Sequence, residues 1–237
     1  MAEGSDRWSS PGFVERYLSA AEVIVVDRHK MVRILRSLYM HRMAGRSGRI
    51  LDLGCGDGFL TRELLMTDPG ASAILVDGSG EMLRRAERRL SGFKVHFIRA
   101  GFDELVHMEL PECDFAVSSL ALHHLAEDEK MELLRYLHSL LAGGGLFVNI
   151  DLVRAPSAEL KEWYLHMWRK WIEERSQLAG VDESFDDLVE RCIQDEHYSR
   201  LCTLERELQL LKSAGFSVVD CFYKNGMFAM YGGATER

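Results

Sequence analysis

The chain has 237 residues, 47% of them hydrophobic, and a formal net charge of −8. That apolar content suffices for one domain with a large core, so a single unit over residues 1–237 is predicted. The acidic balance argues against a protein that grips a nucleic-acid backbone, and no run of 18 or more apolar residues offers a membrane span.

The opening residues Met1–Arg7 are polar and lack the apolar centre of a signal peptide. The five cysteines (Cys55, Cys113, Cys192, Cys202, Cys221) are odd in number and form no C-x-x-C pair. That pattern predicts reduced thiols in a cytoplasmic protein, with no metal framework. Over residues 12–43, Phe13, Tyr17, Val23, Met31, Ile34, Leu35 and Leu38 recur at helical spacing. One or two amphipathic helices are expected there, laid as a lid across the mouth of the sheet that follows. Their apolar faces leave a homodimer open.

Residues 50–58 carry the strongest signal. The run Ile50-Leu51-Asp52-Leu53 reads as a buried strand and ends in glycines at alternate positions, Gly54, Gly56 and Gly58. Phe59–Met66 then reads as a helix, so its first N–H groups face the same space as the glycine turn. A dinucleotide fold wants G-x-G-x-x-G, but position 59 is Phe59, and the G-x-x-x-x-G-K-[ST] phosphate loop is absent. Asp52, two residues before the first glycine, would repel a pyrophosphate and attract an ammonium. A nucleoside carrying a cationic amino acid fits better. Asp77 ends the next apolar run, one βα unit on, where a ribose-binding acid is expected; the competing reading is a helix cap.

Five strands are predicted near 49–53, 73–77, 94–99, 113–119 and 145–151, with helices near 59–67, 79–91 and 127–142. Such alternation predicts an α/β fold with a parallel sheet covered on both faces. No helix is assigned after Phe102. Arg84, Arg85, Arg88 and Arg89 alternate with Glu81 and Glu87 at helical spacing, which predicts an ion-paired solvated face rather than an RNA patch. Residues 156–200 interrupt the alternation and are too long for an ordinary connection. Two helical patterns, one through Trp163, Tyr164, Trp168 and Trp171 and one through Phe185–Ile193, predict a helical cap. A helix near 204–214 and strands near 216–223 and 226–232 close the chain, with a turn at Lys224-Asn225-Gly226.

These segments together resemble the class I S-adenosylmethionine-dependent methyltransferases. Residues 50–58 look like the family's first motif, Asp77–Leu83 like its second, His96–Asp103 like its third and Cys113–Leu125 like its fourth. Leu140–Asp151 is similar to the turn and strand that follow, and Leu211–Phe216 to the last helix-to-strand junction. The resemblance implies a Rossmann-like, doubly wound sheet of seven strands, mostly parallel, with a terminal antiparallel hairpin. It implies S-adenosylmethionine as cofactor, held by Asp52, Gly54, Cys55, Gly56, Asp77, Gly78, Met82, Gly101, Phe102, Ser118 and Ser119. Many members have an acid where this chain has Gly101; Asp103, by a shift of register, or no acid at all are the two readings here.

His123 and His124 are candidate acid/base residues, with a structural role as the alternative. The N-P-P-Y signature of base-amine methylation and the Pro-Cys nucleophile of the cytosine C5 class are both missing. Tyr17, His29 and Asp151 sit where the family gathers acceptor contacts, and Trp168 belongs to an aromatic stripe that is either core or an apolar substrate wall. The expected activity is methyl transfer to a small molecule. A tRNA-modifying enzyme using the same cofactor and a non-catalytic cofactor-binding module are the alternatives.

Overall fold

A computed structural model describes residues 7–179, 198 and 200–236. Its centre is a seven-stranded sheet in the order β3-β2-β1-β4-β5-β7-β6. The strands are β1 (Arg49–Leu53), β2 (Ser72–Asp77), β3 (Lys94–Arg99), β4 (Cys113–Ser119), β5 (Leu141–Leu152), β6 (Val218–Asn225) and β7 (Phe228–Ala234). The first five pair in parallel, and β7 lies antiparallel between β5 and β6. The Rossmann-like fold implied by the sequence is the fold observed.

Each parallel strand reads as a near-continuous apolar run because both of its faces are covered. Along β5, Leu146, Val148 and Ile150 join one core and Phe147 the other. The first core is filled by α1 (Pro11–Ile24), α2 (Arg28–Met43), α3 (Phe59–Thr67), α4 (Gly80–Arg89) and α7 (Ala158–Ala179). The second is filled by α5 (Phe102–Leu105), α6 (Glu127–Leu140) and α8 (Leu204–Ser213). The second half of the expected cap, Phe185–Ile193, lies outside the described residues. Among the described residues no helix is long and apolar enough to cross a membrane.

Three boundaries depart from expectation, each for a local reason. The four residues of α5 are too few to show periodicity; the Glu104 carboxylate accepts from the Gly101 N–H at 2.9 Å and holds the first turn. β5 starts four residues early, because its register against β4 jumps between Cys113 and Phe115 and the glycines of 143–145 are carried as an irregularity. The hairpin strands run two residues later than predicted. Gly226 (φ +56°) takes the first place of a two-residue connection, so Asn225 stays in β6 and pairs with Phe228.

The arginine face of α4 is ion-paired, as its spacing predicts: Glu81 holds Arg84 at 2.6 Å and Arg85 at 2.9 Å, while Arg89 pairs with Asp57. Two indoles of α7 go inward. Trp168 and Trp171 donate their N–H to the Ile24 and Val23 carbonyls at 2.8 and 2.9 Å, which fastens the end of α1. Trp163 of the same stripe is exposed.

Candidate functional site

The strand order reverses between β1 and β4, and in open α/β sheets the crevice at the carboxyl ends of such strands is where ligands bind. A cavity of about 330 Å³ occupies that place, within the range of small-molecule and cofactor sites. Its floor is the bend from β1 into α3. Gly54 (φ +62°) and Gly56 (φ +54°) take left-handed conformations that L side chains resist. A Cβ on Gly54 would stand 2.5 Å from that of Ala121, whereas one on Gly56 would meet only the Met82 sulfur at 4.0 Å, so Gly56 presents bare backbone to the cavity.

Two carboxylates flank this bend. Asp52 is buried at the end of β1 and accepts from the Thr61 hydroxyl at 2.5 Å. Burial drives its carboxyl up to about 7, and the neighbouring charges of Asp77 and Asp57 add to the rise. Asp77, at the end of β2, accepts from the Gly56 N–H at 2.9 Å and the Ser79 N–H at 2.8 Å. Burial raises it too, against those two hydrogen bonds. The cap of α4 is Ser79, whose hydroxyl accepts from the Met82 N–H at 3.2 Å. Asp77 is therefore not spent as a helix cap, and its carboxylate keeps acceptor sites beyond the two in use.

Of the residues singled out in the sequence, Tyr17, Asp52, Gly54, Cys55, Gly56, Asp77, Gly78, Met82, Gly101, Phe102, Ser119 and His124 line the cavity. The Cys55 thiol is held well above its ordinary value by burial and by the three nearby aspartates, so it is no thiolate nucleophile. Ser118 is turned away by strand alternation and donates its hydroxyl to the Leu53 carbonyl at 2.8 Å. Asp103 lies off the wall, its carboxylate packed directly against Gly101. His29 is exposed and sits 3.0 Å from Glu22. Trp168 is behind α1, in the core.

His123 and Asp151 form a pair beside the cavity rather than on it. The Asp151 carboxylate meets His123 Nδ1 at 2.6 Å and accepts from the His123 backbone N–H at 3.1 Å and the Leu152 N–H at 2.9 Å. Burial alone would raise Asp151, but His123, with Lys130 behind it, holds the carboxyl below its ordinary value. This pins the short turn Leu122–His124, which presents His124 to the cavity. A buried polar chain continues from Asp151 through Asn149 Nδ2 (3.3 Å) to the Tyr231 hydroxyl (2.9 Å). Tyr231 in turn bonds Glu207, which pairs with Lys130 at 2.5 Å.

The rest of the roof beside Tyr17 comes from residues the sequence did not single out. Trp8 packs edge-on against Tyr17 with ring centroids 4.8 Å apart, and its carbonyl accepts from the Ser79 hydroxyl at 2.6 Å. Arg28, first residue of α2, lines the cavity above Phe59. Nothing in local spacing marks these two; Phe59 was legible as the first helical residue after the glycines.

Comparison with known proteins is in keeping with this geometry. Residues 50–145 match a family model described as a methyltransferase domain. An uncharacterized methyltransferase of Bacillus cereus is 30% identical over 172 residues, which cover 72% of this chain and 70% of that protein. One of Mycobacterium tuberculosis is 35% identical over 121 residues, 50% of this chain, and the match spans only 57% of that relative's length. The crystal structure of magnesium protoporphyrin IX methyltransferase from Synechocystis with bound SAH superposes with a TM-score of 0.67 at 14% identity, covering 98% of this chain and 98% of that one.

Proposed function

Because this chain belongs to the class I S-adenosylmethionine-dependent methyltransferase family, we propose that it transfers the sulfonium methyl of that cofactor to a small-molecule acceptor. The observation that carries the reading is the pair of carboxylates, buried Asp52 and half-buried Asp77, on either side of a bare glycine bend in one cavity. Bound there, the cofactor supplies a methyl group that is already strongly electrophilic. The chain's part is to hold, orient and keep dry.

Asp77 has free acceptor sites for the ribose hydroxyls, and the N–H groups it fixes at Gly56 and Ser79 keep it in place. Asp52 receives the ammonium of the amino-acid part. Phe102, on the cavity wall, lies along the adenine. The aromatic roof of Trp8 and Tyr17, with α1 and the start of α2, closes over the acceptor. His124 stands at the wall to take a proton from an acceptor that must lose one. A cavity of small-molecule size and a net charge of −8 support a small molecule over a nucleic acid.

Two measurements test this. Calorimetry should show binding of S-adenosylhomocysteine and none of NAD, and methyl-labelled cofactor should pass label to a component of a mixed metabolite extract. Binding without transfer would leave a cofactor-binding module. With an acceptor in hand, His124→Ala is expected to lose about 100-fold in turnover while its affinity for S-adenosylhomocysteine stays within about twofold of the parent. Unchanged turnover in both His124→Ala and His123→Ala would remove the acid/base assignment.

A further inference from the structure

The amino-acid end of the cofactor is a zwitterion, and Asp52 answers only its ammonium. We propose that Arg28 holds the α-carboxylate, an inference that rests on reading this cavity as the cofactor site. Among the described residues that line the cavity, Arg28 is the one arginine or lysine. Its guanidinium carbon stands 3.8 Å from the centroid of the Phe59 ring, and Phe59 opens α3 directly after the glycine bend. Stacking on an aromatic face leaves the in-plane N–H groups of a guanidinium available. Glu22 takes one of them, Nη1 at 2.5 Å, which leaves donors of the fork for a carboxylate.

The corner that carries Arg28 is fastened from two sides. Asp27, in a left-handed conformation (φ +54°), accepts from the Tyr223 hydroxyl at 2.5 Å and from Asn225 Nδ2 at 2.8 Å. Those hydrogen bonds hold the Asp27 carboxyl below its ordinary value although burial opposes them. Trp168 and Trp171 grip the last carbonyls of α1 on the other side of the corner. The terminal hairpin and α7 therefore set where α2 begins, and with it the guanidinium, whose side chain is only 20% exposed. Asp52 and Arg28 then give one cavity a negative and a positive end, the pattern a zwitterion requires.

The test compares two ligands that share the nucleoside. S-adenosylhomocysteine carries the amino acid; 5′-methylthioadenosine lacks it. By calorimetry, Arg28→Ala should bind S-adenosylhomocysteine about 10- to 100-fold more weakly than the parent and methylthioadenosine within about twofold of it. Arg28→Lys should fall between, because an ammonium cannot form the bidentate fork. Should the alanine variant fail to fold, Arg28→Gln, nearly the same in shape and uncharged, is expected to give the same selective loss. Equal weakening toward both ligands, or no weakening toward S-adenosylhomocysteine, would overturn the assignment while leaving the cofactor site intact. A parent protein that binds neither ligand would overturn the cofactor reading, and this one with it.

Discussion

Asp52→Asn is expected to stabilise the cofactor-free protein at pH 8 and to weaken its hold on the cofactor, two effects of opposite sign from one atom change. The carboxyl of Asp52 is buried, and burial first of all, with the charges of Asp77 and Asp57, lifts it from 3.8 to about 7. An acid that titrates higher in the folded state than in the unfolded chain binds its proton more tightly when folded. Its penalty is absent below the unfolded value, grows as pH rises from about 4 to about 7, and is full above that. A shift of that size corresponds to at most about 4 kcal/mol. Asparagine keeps an acceptor for Thr61 and carries no charge, but its amide brings donors that need partners. A gain of about 1–3 kcal/mol at pH 8 is therefore expected, shrinking to nothing near pH 4.

Cofactor binding runs the other way. An ammonium beside Asp52 favours the ionised form and pulls its titration back down, so binding at pH 6 should release a proton. Calorimetry in buffers of different ionisation enthalpy reads that release directly. In Asp52→Asn the release should vanish and S-adenosylhomocysteine should bind about 10- to 100-fold more weakly. Urea denaturation of parent and variant between pH 4 and 8 supplies the stability half. A parent whose stability stays flat across that window, or a variant that binds as tightly as the parent, would contradict the assignment of Asp52.

The centre of this site was legible in the sequence because it is built from neighbours. Asp52, the three glycines and Phe59 lie within eight residues, and their geometry is a local consequence of strand, bend and helix. Asp77 followed from one further βα unit. Ser118 was within reach as well: strand alternation along β4 sends it the opposite way from Ser119, a period-two argument that motif matching passed over. The contact between His123 and Asp151 joins residues 28 apart at the ends of adjacent strands, so strand order was needed before the two could be placed together. Arg28 lay beyond reach. Its position depends on Tyr223 and Asn225, 196 and 198 residues from Asp27 in the chain, and on two α7 indoles. Packing of that kind leaves no periodic trace in α2 itself.

Lys130→Met should cost about 3–5 kcal/mol, the largest loss expected from a single change away from the cavity. Lys130 on α6 and Glu207 on α8 are both almost fully enclosed, at 2% and 3% side-chain exposure, and meet at 2.5 Å. Burial alone would lower the Lys130 ammonium, yet Glu207 holds it above its ordinary value. Without it, Glu207 is a desolvated carboxylate whose remaining support is the Tyr231 hydroxyl. Glu207 then titrates well above its unfolded value of 4.5, so the deficit of the variant should widen as pH rises above about 4.5 and narrow in acid. For a chain of this length the loss corresponds to a fall of about 10 °C in Tm. Pairing Lys130→Met with Glu207→Leu removes both charges and should recover most of the stability, because an apolar pair of similar volume needs no compensation. Denaturation of the two single variants and the double variant forms the cycle that decides it. A single variant within about 1 kcal/mol of the parent at pH 7, or a double variant no better than Lys130→Met, would mean that the ion pair is not what holds α6 to α8. The double variant should keep its affinity for S-adenosylhomocysteine, since neither Lys130 nor Glu207 lines the cavity.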